Sequence, residues 1–295
     1  MLRQHQLLLC LVVSAFSLGA QAAPVSGQFV LGGKPLKPAE VAAFRMRDQF
    51  NPRTFETYVM LTTKAVDKEK IKASPDPYTV AINDPAVSGN QSDYIALSIG
   101  PDGKAGLNAH VGGVQYVDSS GTVMGQQGSL SATCKENTPM RIACTVKTTK
   151  EVKPMDGPAW TLDVSFETDV LSRPPGKPLA KDGEAPGKAL LALRAAASGN
   201  DLAKITALLT PARVKSYNED YRTPEENLKS TKEILDVRLP KQPKITGGEW
   251  LADDHALLEV EGTPFGTTHM LYLVDMRRVD GKWLWDDATP AGFLH

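Results

Sequence analysis

The sequence is poor in the residue types that announce chemistry. Three cysteines, five histidines and 6% aromatic residues in a chain of 295 leave little material for a metal cluster or a stacking platform. There is no Gly-x-Ser-x-Gly elbow, papain-like cysteine or dinucleotide fingerprint. Gly32-Gly33-Lys34 lacks the further glycine and the Ser or Thr of a phosphate loop and reads as a turn. Past residue 22, no two histidines stand at ligand spacing with an acidic partner, so neither zinc nor any cofactor is implied. Charge of one sign is missing too. Against 33 basic residues stand 34 acidic ones, and residues 23–173 carry as many of one as of the other. Without a basic stripe, nucleic acid is not an expected partner.

Long apolar runs are scarce, which excludes a polytopic membrane protein, and the single clear one lies at the start. Met1-Leu2-Arg3, the run Leu7–Leu18 and the small-residue tripeptide Ala20-Gln21-Ala22 have the three regions of a secretory signal peptide, with cleavage expected after Ala22. The run is shorter than the roughly 20 residues a membrane span needs. A periplasmic or secreted chain without a transmembrane segment follows. Loss of Cys10 leaves Cys134 and Cys144, an even pair in an oxidising compartment. They are expected to form a structural disulfide that clips a hairpin.

What is present is a hydrophobic fraction of 41%, enough for packed cores, in two patterns. Residues 23–170 read as short strands separated by Gly, Pro, Asn and Asp, including 57–63, 78–82, 94–99, 114–117, 129–134, 141–146 and 161–166. Only Pro38–Arg47, with Ala39, Glu40, Ala42 and Ala43 after its proline, has helical composition. An all-β, sandwich-like domain is expected. Residues 171–187 hold clustered Pro and Gly and read as an extended linker. From 188 the period becomes helical. Lys188–Ser198 is followed by an Asn200-Asp201 cap, Thr210-Pro211 opens a third helix, and Thr223-Pro224-Glu225-Glu226 is a capping box. Strands then follow over 244–251, 255–262, 267–279 and 282–287, with tight turns at Asp253-Asp254 and Asp280-Gly281.

The helix phrase Ala189–Leu202 running into Gly199-Asn200-Asp201, and the strand phrases Asp254–Gly262 and Met276–Trp285, resemble the nuclear transport factor two-like (cystatin-like) superfamily. The resemblance covers about a third of the chain. It implies an α+β domain over 188–295 with helices packed into a curved antiparallel sheet, but no particular activity. Enzymes of that superfamily place a carboxylate or histidine base and a hydroxyl donor inside the cone. By that analogy the catalytic candidates are His269 and Asp275. The pocket candidates are Tyr217, Tyr221, Trp250 and Tyr272. Along the strand carrying them, Met270, Tyr272, Val274 and Met276 form the more continuously apolar face. That face is expected to meet the helices and turn His269 and Asp275 outward. The balance favours a non-catalytic binding module for a small apolar ligand or an envelope protein. Alternatives are an isomerase, dehydratase or hydrolase acting in the cone, or a structural or inhibitory protein, and the C-terminal sheet could support a homodimer.

Overall fold

The computed structural model describes residues 24–88, 92–118, 129–154, 157–217, 223–263 and 268–295. The segment 1–22 expected to be a signal peptide and the candidate Tyr221 lie outside them. In the first unit, β1 (Val25–Leu31), β2 (Lys34–Leu36), β8 (Leu130–Asn137), β9 (Arg141–Thr148) and β10 (Trp160–Leu171) form one layer in the order β2-β1-β10-β9-β8. A second layer runs β3 (Glu40–Arg47), β4 (Phe55–Thr62), β5 (Tyr94–Ile99), β6 (Ala105–Val111) and β7 (Val114–Asp118). The end of β10 pairs in parallel with β3 at Val170↔Ala43 and joins the layers. One core lies between them. Phe29, Leu162, Val164 and Ile142 of the first layer meet Val59, Leu97 and Ala109 of the second. Trp160, fully buried, touches the rings of Phe29 and Tyr116 at 5.9 and 5.3 Å.

The second layer is covered on its other face as well. Three short helices, α1 (Lys68–Ala73), α2 (Pro77–Ile82) and α3 (Pro85–Ser88), place Ile71, Ala81 and Ala86 against Ala42, Phe44 and Met60. Burial on both faces corrects the expectation of a helix over Pro38–Arg47. That stretch is β3, and with neither face in water its apolar residues do not alternate and mimic a helical composition. The strand expected over 78–82 is also corrected, because these residues form α2. Asp76 caps its N-terminus by accepting from the Thr79 N–H at 3.0 Å, and Pro77 occupies the first turn. The caps override the β-branched composition.

The second unit begins inside the stretch expected to be a linker. Lys177–Pro178 is strand β11, paired with β12 (Lys244–Ala252), and Leu179 is buried in the core beyond. Helix α4 (Glu184–Ala197) starts four residues early, followed by α5 (Leu202–Thr206), α6 (Pro211–Tyr217) and α7 (Pro224–Arg238). Asp201 caps α5, and both hydrogen bonds of the Thr223–Glu226 capping box are present. The sheet runs β11-β12-β13-β14-β15, with β13 (His255–Gly262), β14 (Met270–Val279) and β15 (Lys282–Phe293). Asp280 and Gly281 turn β14 into β15 with φ of 50° and 79°, the left-handed pair a two-residue hairpin requires. Register shifts at Ile245/Gly247, Trp250/Ala252, Leu271/Tyr272 and Asp275/Met276 bend the strands.

Cys134 and Cys144 face each other across β8 and β9 and are bonded, S–S 2.03 Å. Replacing both by serine is expected to cost about 3 kcal/mol in urea unfolding. An unchanged midpoint would show that the strand pairing alone holds this hairpin.

Candidate functional site

The face of the second sheet carrying Ala256, Leu258, Tyr272, Val274 and Met276 meets the helices, as the alternation along β14 requires. Leu190, Leu193 and Leu235 fill the space above it together with Trp285. Of these side chains, none is more than 1% exposed. The space between the helices and the sheet is therefore packed with protein. Tyr217 is buried in this filling with its ring 6.3 Å from Trp285 and its hydroxyl without a hydrogen-bond partner. Burial raises its pKa, opposed by the nearby Arg213 and Arg238. The Tyr272 hydroxyl reaches only the Met270 sulfur at 3.7 Å, and burial pushes its pKa up to about 12. Trp250 packs on Trp283 at 5.4 Å. Tyr217 and Tyr272 are thus core side chains of the second unit, and Trp250, partly buried, packs against that core.

The opposite face holds Leu257, Glu259, Leu271, Leu273 and Asp275, and it meets the first unit. At one end the loop between β3 and β4 closes onto it. The Phe293 N–H donates to Gln49 O at 2.7 Å, Phe50 stacks on Phe293, and Arg53 faces Glu261. Gly292 makes this approach possible. With φ +145° it lies so close to the loop that a Cβ would meet Gln49 O at 2.7 Å and Asp48 O at 2.9 Å. The face that a homodimer through this sheet would use is occupied, over this end, by the chain's own first unit. At the other end Arg173 binds Glu249, which also accepts from the Gly176 N–H at 2.7 Å. The stretch expected to be an extended linker is strapped to the sheet by this pair.

Between these two attachments the units stand apart and enclose a cleft of about 1030 Å³. Its floor is the outer sheet face, with Leu257, Leu273 and Thr289, Met270 from the other face of β14 also lines it, and its roof is built from Arg45, Met46, Phe55, Ile71 and Tyr78. Ion pairs cross or border it. Arg47 binds Glu259 from the roof, and Arg213 and Arg238 both hold Asp287. Asp286 is the extra residue of the β15 bulge. Its carboxylate accepts from the Thr210 hydroxyl at 2.6 Å and its carbonyl from the Arg213 guanidinium. A second, open hollow of about 490 Å³ lies at the rim between α6 and the turn of β14 and β15.

His269 is exposed, and it is not brought together with Asp275. Asp275 lines the cleft, but its carboxylate is held by His255 at 2.9 Å and Arg277 at 3.1 Å, on the sheet face away from Tyr217 and Tyr272. A base and a phenolic donor inside one cavity, the arrangement a cone enzyme needs, is not assembled from the described residues. Among the described residues no group of three or more His, Cys, Asp or Glu is placed to hold a metal ion. Arg45, Arg47, Arg173, Arg213, Glu249 and Glu259 were not candidates from sequence. They come from β3, the inter-unit stretch, α6 and two strands of the second sheet, so no spacing in the chain marks them.

Burial raises the pKa of the Glu249 carboxyl, but the Arg173 guanidinium and the Gly176 N–H outweigh it and hold the group below the usual range. A depressed carboxylate stabilises the fold above its unfolded pKa, and that stabilisation is lost as pH falls through the folded value. Glu249→Gln is therefore expected to lower stability by about 1–2 kcal/mol at pH 7, with the gap to wild type closing on acidification below about pH 4. A gap independent of pH would show that the pair contributes nothing. Against models of known protein families, and against curated proteins, the chain finds no match.

Proposed function

We propose that this chain is an exported binding protein whose small ligand sits in the cleft between its two units, rather than in the cone of the second. The observation that carries this is the contrast between the two sides of one sheet. Its helix side is filled by Trp285, Tyr272 and their neighbours, whereas its outer side opens into about 1030 Å³. Ligand sites of small molecules occur preferentially at such domain interfaces, at about 300–1,000 Å³, with an apolar lining and a few polar groups. Export is supported by the signal-like first 22 residues, by the disulfide, and by the absence, among the described residues, of any helix long and apolar enough to cross a membrane. Four helices followed by a bulged antiparallel meander support reading residues 188–295 as a nuclear transport factor two-like domain.

A binding role fits the paired state of the cleft's charges. Asp275 is held by His255 and Arg277, and Asp287 by Arg213 and Arg238, so these carboxylates are engaged in structural contacts. Native mass spectrometry of the exported chain is expected to show a bound small molecule. A Leu273→Arg variant, with a charged arm across the cleft floor, is expected to carry none while its stability changes by only about 1 kcal/mol. Equal loading of the variant would overturn the assignment of the cleft. So would a bare wild-type chain that takes up a hydrophobic dye no better than the variant.

A further inference from the structure

Of the four guanidinia that line the cleft, one is unmatched. Arg47, Arg173 and Arg213 have Glu259, Glu249 and Asp287 as counter-ions. Arg45, on the roof, has no carboxylate among the described residues within ion-pair distance. Its Nη2 donates to Phe55 O at 3.3 Å, and its Nε is buried without a partner. Arg45 and Arg47 lie over the same Phe55 ring, at 5.6 and 5.1 Å, so two like charges share a small space and Glu259 compensates only one of them. Partial burial of Arg45 lowers its pKa. A part-buried guanidinium with one N–H unpartnered gains from an anion that completes it.

Resting on the cleft reading above, we propose that the ligand is an amphipathic monocarboxylate of the fatty-acid class, its carboxylate on Arg45 and its alkyl chain along Leu257 and Leu273. Three observations narrow the class. A neutral apolar molecule would leave Arg45 unmatched. A phosphate dianion would meet a lining that also carries Glu249, Glu259, Asp275, Asp286 and Asp287, and like-charge juxtaposition discriminates against it. An extended peptide cannot add to β15, the edge strand bordering the cleft. Pro290 lacks an N–H, Arg213 and Arg238 occupy the carbonyls of Asp286 and Ala288, and Gln49 takes the Phe293 N–H. One planar anion on one guanidinium, with a tail across the leucines, uses what remains.

The test is calorimetric titration of the full mature chain with dodecanoate, dodecanol and dodecyl phosphate, each below its aggregation threshold. Dodecanoate is expected to bind at least tenfold more tightly than the other two. Arg45→Gln should erase its preference over dodecanol, Arg45→Lys should retain part of it, and Leu273→Arg should abolish binding of all three. The wild-type comparison of acid with alcohol needs no variant to fold. Equal binding of dodecanoate and dodecanol, both lost in Leu273→Arg, would overturn the carboxylate assignment and leave the cleft standing. A stronger dodecyl phosphate, or a preference unchanged in Arg45→Gln, would overturn it as well. No binding of any probe, joined to a bare chain in native mass spectra, would remove both readings.

Discussion

A bent sheet with apolar residues on both faces needs two covers, and four helices supply only one. In β13 and β14 the even-numbered side chains, from Ala256 to Met276, face the helices. Leu257, Leu271 and Leu273 alternate with them on the other side. Leu257 and Leu271 are buried nonetheless. The first unit provides that second cover, so the two parts of the chain behave as one structure. The contact is tight where Gly292 admits the loop at Asp48 and Gln49, and toward the middle of the sheet it opens into the cleft. The cleft is the space left where the second cover is incomplete.

Electrostatics then hold the cleft at its borders rather than across its centre. Arg173 with Glu249 and Arg47 with Glu259 join the units, each part-buried and each made by an arginine whose planar fork suits a carboxylate. Such pairs add modest stability but fix register strongly, since a displaced partner leaves a desolvated charge behind. The β15 bulge has a similar role. By inserting Asp286 it offers Thr210 a carboxylate and Arg213 a carbonyl, and it leaves Asp287 for Arg213 and Arg238. The same guanidinia that anchor α6 and α7 to the sheet therefore cap its exposed edge against pairing with another strand.

Local chemistry was readable in the chain wherever a few neighbouring residues decide the outcome. Asp280-Gly281, the Thr223–Glu226 box and the Asp201 cap sit where the sequence puts them, because turns and caps are made by adjacent groups. The Cys134–Cys144 pair belongs with them, as it bridges facing positions of one hairpin. Pattern reading went astray where tertiary burial overrides periodicity, at β3. It also went astray at α2, where Asp76-Pro77 was the signal and the β-branched Thr79 and Val80 were the distraction. The cleft was beyond reach for a stronger reason. Arg47 and Glu259 are 212 residues apart, and only the strand order of two sheets brings them together. The alternation along β14 nevertheless placed Asp275 on the outer face. What it did not reveal is that this face looks onto a second wall instead of water.

The near-equality of charge that argues against a nucleic-acid partner acquires a structural meaning from this arrangement. Thirty-three cations and 34 anions are not simply interspersed on a surface. At the junction of the units three arginines are matched to carboxylates, and such a lining presents little net field to a passing ion. Selectivity in such a cleft comes from the exception to the matching. A single unmatched guanidinium among paired ones discriminates better than a cluster of free cations would, because it can be satisfied by one negative charge while the surrounding carboxylates repel a second. Leu273 on the outer sheet face, left partly open to the cleft by the same incomplete cover, with Leu257 beside it, then supplies area over which an apolar tail gains its binding energy.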